Sequence, residues 1–257
     1  MDHHPHRTAL GLRLRSAATV LIVVAAWEAA ARLQFVPTLF LPPFTTVMAQ
    51  LWASIADGTL FKDLSLSLLR AFAGLVLATL VGVVLGVTMA RNRFINWLFD
   101  PIIALGFPSP KIAFLPVFIV WFGIYSLSKI LLVAFACVFP IVIGSYSAAR
   151  GINRVLIWSG YSMGASRMVM LARVVLPACC PRIFAAMRVA LPVALITTFT
   201  AEMVAGGGGM GATLMYSQRF FESPVVFAYI VVMLAIGLVL DAVLVQVQRH
   251  VPAARGD

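Results

Sequence analysis

Apolar runs of membrane length alternate with short basic breaks along this chain. After a polar start carrying Arg7, Arg13 and Arg15, residues 16–33 (SAATVLIVVAAWEAAARL) form the first run. A basic start before an apolar stretch has the layout of a signal peptide. No convincing cleavage site leads into a soluble domain, so an uncleaved helix is expected. Glu28 and Arg32, four residues apart near its end, are placed to pair on one face. Pro37, Pro42 and Pro43 forbid a continuing helix. Residues 44–55 then show helical spacing. They predict a short amphipathic helix at the outer interface, with Thr45 or Thr46 as cap, Trp52 at headgroup depth and Asp57-Gly58 as its end.

Residues 64–90 predict the second span, where Gly82 and Gly86 form a small-xxx-small pair suited to close helix packing. Arg70, early in that span, is expected to snorkel to the outer surface or to pair with Asp63. The third span is irregular, because Pro101, Pro108, Pro110 and Pro116 interrupt an apolar run that ends near Gly123. Lys111 lies inside it, either as an intramembrane functional charge or as an interfacial lysine if the span begins only after Pro110. Trp121 and Tyr125 then mark the outer interface, with Lys129 just beyond. Residues 128–149 form the fourth span, with a kink expected at Pro140. Residues 183–205 and 225–247 form the fifth and sixth, with Glu202 near an outer end and Asp241 near an inner one. Glu202 reads as a gate or packing residue, as a contact for an extracellular partner, or as an interfacial carboxylate bonded to the glycine-rich loop after it.

Between the fourth and fifth spans lies a polar interruption, residues 150–188, with Arg150, Arg154, Arg167, Arg173, Arg182 and Arg188 and no Asp or Glu. Its first part, residues 154–172, lacks proline and predicts surface helices, which Leu176-Pro177 and Pro181 are expected to end. Arginines are concentrated in this loop, at Arg91 and Arg93, and in both termini. That imbalance places the loop and both termini in the cytoplasm. The expected organisation is a cytoplasmic tail over residues 1–15, one membrane domain over 16–247 with the basic loop at about 150–185, and a short tail over 248–257.

Composition agrees. Hydrophobic residues make up 62% of the 257 and charged residues 11%, against about 45–50% and 25% in soluble domains. The fold class is therefore all-α, a polytopic membrane protein of about six transmembrane helices with the bilayer as solvent. The net charge of +10 is scattered between apolar spans, which excludes nucleic acid as a partner. Cys137, Cys179 and Cys180 make no disulfide framework, and His3, His4 and His6 belong to a tail expected to be disordered, so no metal site is expected. No phosphate-cradling GxxxxGK[ST] follows Gly206–Gly209, and HExxH is absent. Catalytic residues are therefore not expected, and active transport would draw its energy from a partner or an ion gradient.

The basic loop resembles the signature of ABC importer permeases, in which Glu-Ala-Ala, three residues, Gly and nine residues lead to Ile-x-Leu-Pro. Here Gly164 is followed by Val174-Val175-Leu176-Pro177, while Trp158-Ser159-Gly160 replaces Glu-Ala-Ala. Further stretches are similar to permeases for nitrate, sulfonate and taurine. They include Leu41-Pro42-Pro43, Ser67-Leu68-Leu69-Arg70, Asp100-Pro101, Pro110-Lys111-Ile112-Ala113, Trp121-Phe122-Gly123-Ile124 and Ala201-Glu202-Met203. The resemblance implies a type I importer permease fold that works as a homodimer in the inner membrane. It implies two ABC ATPase subunits, which use ATP and magnesium, and a periplasmic or extracellular solute-binding protein; no cofactor is bound by this chain itself. It assigns Tyr161, Ser162, Met163, Gly164, Ala165, Ser166, Leu176 and Pro177 to an ATPase-coupling loop. Lys111, Glu202 and Arg70 become candidate pathway or gate residues. The implied cargo is a small anion. A neutral or cationic heterocycle carried by the same family, and a secondary carrier without an ATPase, are the competing expectations.

Overall fold

A computed structural model describes residues 9–250; the three tail histidines and most of the C-terminal tail lie outside them. All regular structure among the described residues is helical: α1 (Ala9–Arg32), α2 (Phe44–Ala56), α3 (Thr59–Arg91), α4 (Arg93–Gly106), α5 (Leu115–Phe122), α6 (Ser126–Arg150), α7 (Arg154–Ser162), α8 (Arg167–Met170), α9 (Leu176–Ala205), α10 (Met210–Arg219) and α11 (Ser223–His250). Among the described residues, four helical runs are long and apolar enough to cross a membrane. A fifth span exists if α4 and Lys111–Phe122, bent by 99°, are taken as one. The proline-dense third span is therefore two arms with a 3₁₀ turn, Lys111–Phe114, between them. The expected first span, residues 16–33, is helical within α1 but does not enter that count.

The chain divides into two compact units, Met1–Leu60 with Leu214–Val232, and Phe61–Thr213 with Met233–Asp257. In the first, Trp27 donates from Nε1 to Pro42 O at 3.0 Å and packs edge-on against Phe44 at 5.5 Å. The expected Glu28–Arg32 pair forms at 2.6 Å. Glu28 also accepts from the Thr45 amide at 3.1 Å and hydroxyl at 3.0 Å. Thr45 is thus not the cap of α2. Pro43 holds that position without a side-chain bond, and the carboxylate of Glu28 supplies the acceptor that an unsatisfied first-turn amide needs. At the start of α3, Asp57 Oδ1 accepts from the Thr59 hydroxyl at 2.6 Å and amide at 2.9 Å. These bonds hold the Asp57 carboxyl below its usual range.

In the second unit α6 is central, with Leu132, Val133, Cys137, Ile141 and Val142 fully buried. Leu75 and Ala78 of α3 and Ala190, Leu191 and Ala194 of α9 join it in one core cluster. Small residues permit this approach. A Cβ on Gly74 would lie 2.6 Å from Val133 Cβ, and one on Gly82 2.8 Å from Ile141 Cγ2. Toward α9, a Cβ on Gly144 of α6 would collide with the Cβ of Ala186. At Gly86 the obstruction is backbone, Val142 O at 2.6 Å, with Ser145 Cβ at 2.8 Å. Backbone cannot swing aside, so Gly86→Val is expected to cost about 1–3 kcal/mol, seen as a lower melting temperature in detergent. Gly237→Ala in α11, with nothing within 4 Å of the new methyl, is expected to leave melting unchanged.

Leu176-Pro177 does not end a surface element as expected. Arg167 to Ala205 is one continuous helical run, so the helix that carries the fifth span begins well before residue 183. A proline ring collides with the carbonyl four residues back, which for Pro177 belongs to Arg173. The chain meets this with a wider π turn over Leu171–Val175, immediately ahead of Pro177. Pro181 and Pro192 are likewise carried inside α9, and Pro140 inside α6.

Candidate functional site

The segment 150–176 folds into a knob with a packed base and an exposed crown. Asn153 caps α7 by accepting from the Val155 amide at 2.9 Å. At the far end Gly164 takes φ +81°. Its amide donates to Tyr161 O at 2.9 Å and the Ala165 amide donates to Gly160 O at 3.1 Å. These two bonds form a Schellman cap, which calls for a left-handed residue between them. Ser166 then opens α8, its Oγ accepting from the Val169 amide at 3.4 Å. Gly164 therefore makes a sharp left-handed turn between α7 and α8.

The underside of the knob is packed. Met170, Val175 and Cys179 are fully buried in a cluster with Val87 of α3 and Ala148 and Ala149 of α6, and Ala165 packs against it. Gly160 of Trp158-Ser159-Gly160 lies against the end of the Met170 side chain, which a Cβ there would displace. The outer side is apolar and exposed. Met163 is 82% accessible, and Val155, Leu156, Trp158, Tyr161 and Met168 are also exposed. Ser162, Ser166, Leu176 and Pro177 are exposed as well, the last two at the start of α9. Beside the knob an open, mostly apolar cavity of about 1070 Å³ is lined by Leu80, Val84 and Thr88 of α3, Tyr161, Met168 and Ile183.

The candidate pathway charges are arranged differently from expectation. Arg70 neither snorkels nor pairs with Asp63. It is 1% exposed and Glu202 is 0% exposed, and their side chains meet at 2.7 Å. Arg70 also donates to Gly208 O at 2.7 Å, Gly207 O at 2.9 Å and Ser126 Oγ at 3.1 Å. Glu202 accepts from Ser67 Oγ at 2.7 Å and from the Gly211 amide at 3.1 Å, so the expected bond to the glycine-rich loop exists beside an ion pair that was not expected. Lys129, expected at the outer interface, is fully buried and donates to Gly206 O at 2.5 Å and Ile124 O at 3.3 Å.

Three carbonyls of the glycine run thus turn inward onto two cations. That requires Gly206 through Gly209 all to take positive φ, between 66° and 99°. A Cβ on Gly209 would collide with the Glu202 carboxylate. Sequence reasoning missed Lys129 and Ser67, although Ser67 and Arg70 are three apart on one helical face, a spacing that could have pointed to a shared partner. Lys111 is not part of this cluster. It opens the turn between the arms of the bent pair, donates to Phe107 O, and lies 5.5 Å and 5.3 Å from the rings of Phe107 and Phe139. Arg188 and Asp241 pair at 2.8 Å with both side chains partly exposed. Among the described residues no group of three metal-ligating side chains occurs.

This arrangement has counterparts. A family model described as "Binding-protein-dependent transport system inner membrane component" matches residues 78–251. The taurine transport system permease protein TauC of Escherichia coli (strain K12) is 33% identical over 247 residues, covering 94% of this chain and 90% of the relative. The riboflavin transport system permease protein RibX of Chloroflexus aurantiacus is 31% identical over 232 residues, covering 90% and 85%. Among solved structures, a chain of the MetNI methionine ABC transporter in an inward-facing conformation aligns with TM-score 0.64 at 20% identity. The alignment covers 76% of this chain and 95% of that one, and establishes the type I importer permease fold alone. The chain belongs to the binding-protein-dependent transport system inner membrane components, and is an ABC importer permease of the membrane rather than an enzyme.

Proposed function

We propose that the chain is the membrane subunit of an ATP-driven importer for a small anion, a sulfonate such as taurine or a similar solute, delivered by an external binding protein. Two copies enclose the pathway. The α7–Gly164–α8 knob seats in an ATPase subunit that uses ATP and magnesium. Both termini and the knob face the cytoplasm, in keeping with the arginine imbalance. The observation that carries this reading is the knob itself, a Schellman-capped element with a fully buried base and an exposed apolar crown around Met163. A rigid element is what converts motor motion into helix motion, because a soft one would absorb the displacement. Tyr161, Ser162, Met163, Ala165 and Ser166 form the contact or its support. Leu176 and Pro177 set where α9 begins.

Similarity to the taurine permease favours a sulfonate cargo. Similarity at nearly the same identity to a riboflavin permease supports a second reading, an uncharged heterocycle. Arg70, Lys129 and Glu202 do not decide between them, because their charges are spent on one another and on backbone. The test is uptake by proteoliposomes holding this chain, its ATPase and its binding protein, with labelled taurine and labelled riboflavin offered in parallel. ATP-dependent accumulation of taurine is the expected result. Uptake without any ATPase would overturn the importer reading, and accumulation of riboflavin alone would replace the cargo.

A further inference from the structure

At the arginine-rich end of the second unit, a polar cavity of about 530 Å³ is lined by Arg91, Arg93, Arg150 and Arg154, with Asn96 and Tyr146 among its other walls and no Asp or Glu. We infer that this cavity is a binding site for the phosphate headgroup of an anionic phospholipid.

The four arginines are not equivalent. Arg91 closes α3 and Arg150 closes α6, where the helix dipole favours a cation. Arg150 is further held by Tyr146, donating to its hydroxyl at 2.8 Å. Arg93 and Arg154 are the first residues of α4 and α7. There the dipole disfavours a cation, and the first-turn amides are already bonded to the capping side chains of Asn92 and Asn153. Helix stability gives no reason to place arginine at either position. A bound anion gives one, since four guanidinium groups line the cavity it would occupy. Retention of positive charge on one side of the membrane accounts for basic residues in general. It does not account for their convergence on one cavity without a carboxylate.

The source of the phosphate follows from the neighbouring surface. Phe94 and Trp97 project from the first two turns of α4 at 67% and 71% exposure, with ring centroids 6.2 Å apart. Exposed aromatics of this kind lie at the headgroup level of a bilayer. The cavity beside them is therefore at the depth of lipid phosphates, and basic pockets between membrane helices take such headgroups. The occupant is a lipid of net negative charge, of the phosphatidylglycerol kind, rather than a zwitterionic one.

The test uses the purified full-length chain in detergent, titrated with phosphatidylglycerol or phosphatidylcholine and read by native mass spectrometry. Wild type should retain phosphatidylglycerol and not phosphatidylcholine. Arg93→Gln with Arg154→Gln should weaken retention about 30-fold, from about tenfold in affinity per 1.4 kcal/mol and the usual contribution of a membrane-surface arginine. Arg93→Lys with Arg154→Lys should keep most of it. Arg219→Gln, at the end of α10, should change nothing. A photoactivatable phosphatidylglycerol should label α4 and α7 in the unmodified chain, which needs no variant to fold. Equal retention by the double glutamine variant, an equal loss in Arg219→Gln, or labelling confined to other helices would overturn the inference. So would equal competition by soluble glycerol phosphate, which would make this a free-anion site. Protection of these arginines from modification only when an ATPase is bound would assign the cavity to that protein instead.

Discussion

Replacing Glu202 by alanine is expected to destabilise the fold by about 3–5 kcal/mol, the usual cost of stranding one member of a buried ion pair. Both side chains are inaccessible, and Arg70 Nη1 lies 2.7 Å from Glu202 Oε1. Without the carboxylate, Arg70 and Lys129 remain as two cations bound to the same glycine run through Gly206, Gly207 and Gly208. Ser67 Oγ and the Gly211 amide also lose their acceptor. Thermal unfolding in detergent should show a large fall for Glu202→Ala. Glu202→Gln should fall less, because an amide oxygen still accepts from Ser67 and Gly211. The double variant Arg70→Ala/Glu202→Ala should lie closer to wild type than the sum of the single losses, since neither charge is then left alone. A single variant that melts like wild type would show that the cluster contributes nothing to stability.

The second large effect is at Gly164 and concerns transport rather than stability. A Cβ there meets nothing within 4 Å, so the cost of a side chain comes only from φ +81°. Holding a non-glycine residue in that region costs about 1–3 kcal/mol, worst for a β-branched one and least for asparagine. Gly164→Val should re-route the Schellman turn and move Met163 and Tyr161 out of place while the buried base of the knob stays folded. ATP-dependent uptake should fall about tenfold or more, at about tenfold per 1.4 kcal/mol, with melting nearly unchanged. Gly164→Asn should retain most uptake, and Gly164→Ala should lie between. If valine and asparagine were equally harmful, the left-handed turn would not be the cause. If neither mattered, the knob would not couple to a motor.

The spans were legible because burial in lipid imposes a simple rule on the sequence. A helix needs about 20 apolar residues to cross, so α3, α6 and α11 appear as long apolar runs. Glu28 and Arg32 were legible for a similar reason, as four residues apart on a helix means neighbours. Gly164 was marked by the resemblance of the basic loop to the permease signature, and glycine's access to positive φ suits it to the turn found there. Each of these features depends on residues close in sequence. The role of Leu176-Pro177 was misread because proline's local preference points to an end, and the π turn that accommodates it has no sequence signature of its own.

Arg70, Glu202 and Lys129 were out of reach for a different reason. Each is a charge in apolar sequence, and its sequence neighbours permit snorkelling, pairing nearby or burial. Burial becomes tolerable only when α3, α6 and α9 bring the three together, with Ser67 and the inward carbonyls of Gly206, Gly207 and Gly208 completing their bonds. Those partners come from segments up to 138 residues apart. Hydropathy, charge bias and turn chemistry are local quantities, and they specified the helices and their order. Which charges are spent on the interior, which arginines gather around one cavity and where α9 begins depend on how the helices pack, because a charge takes its energy from whatever surrounds it.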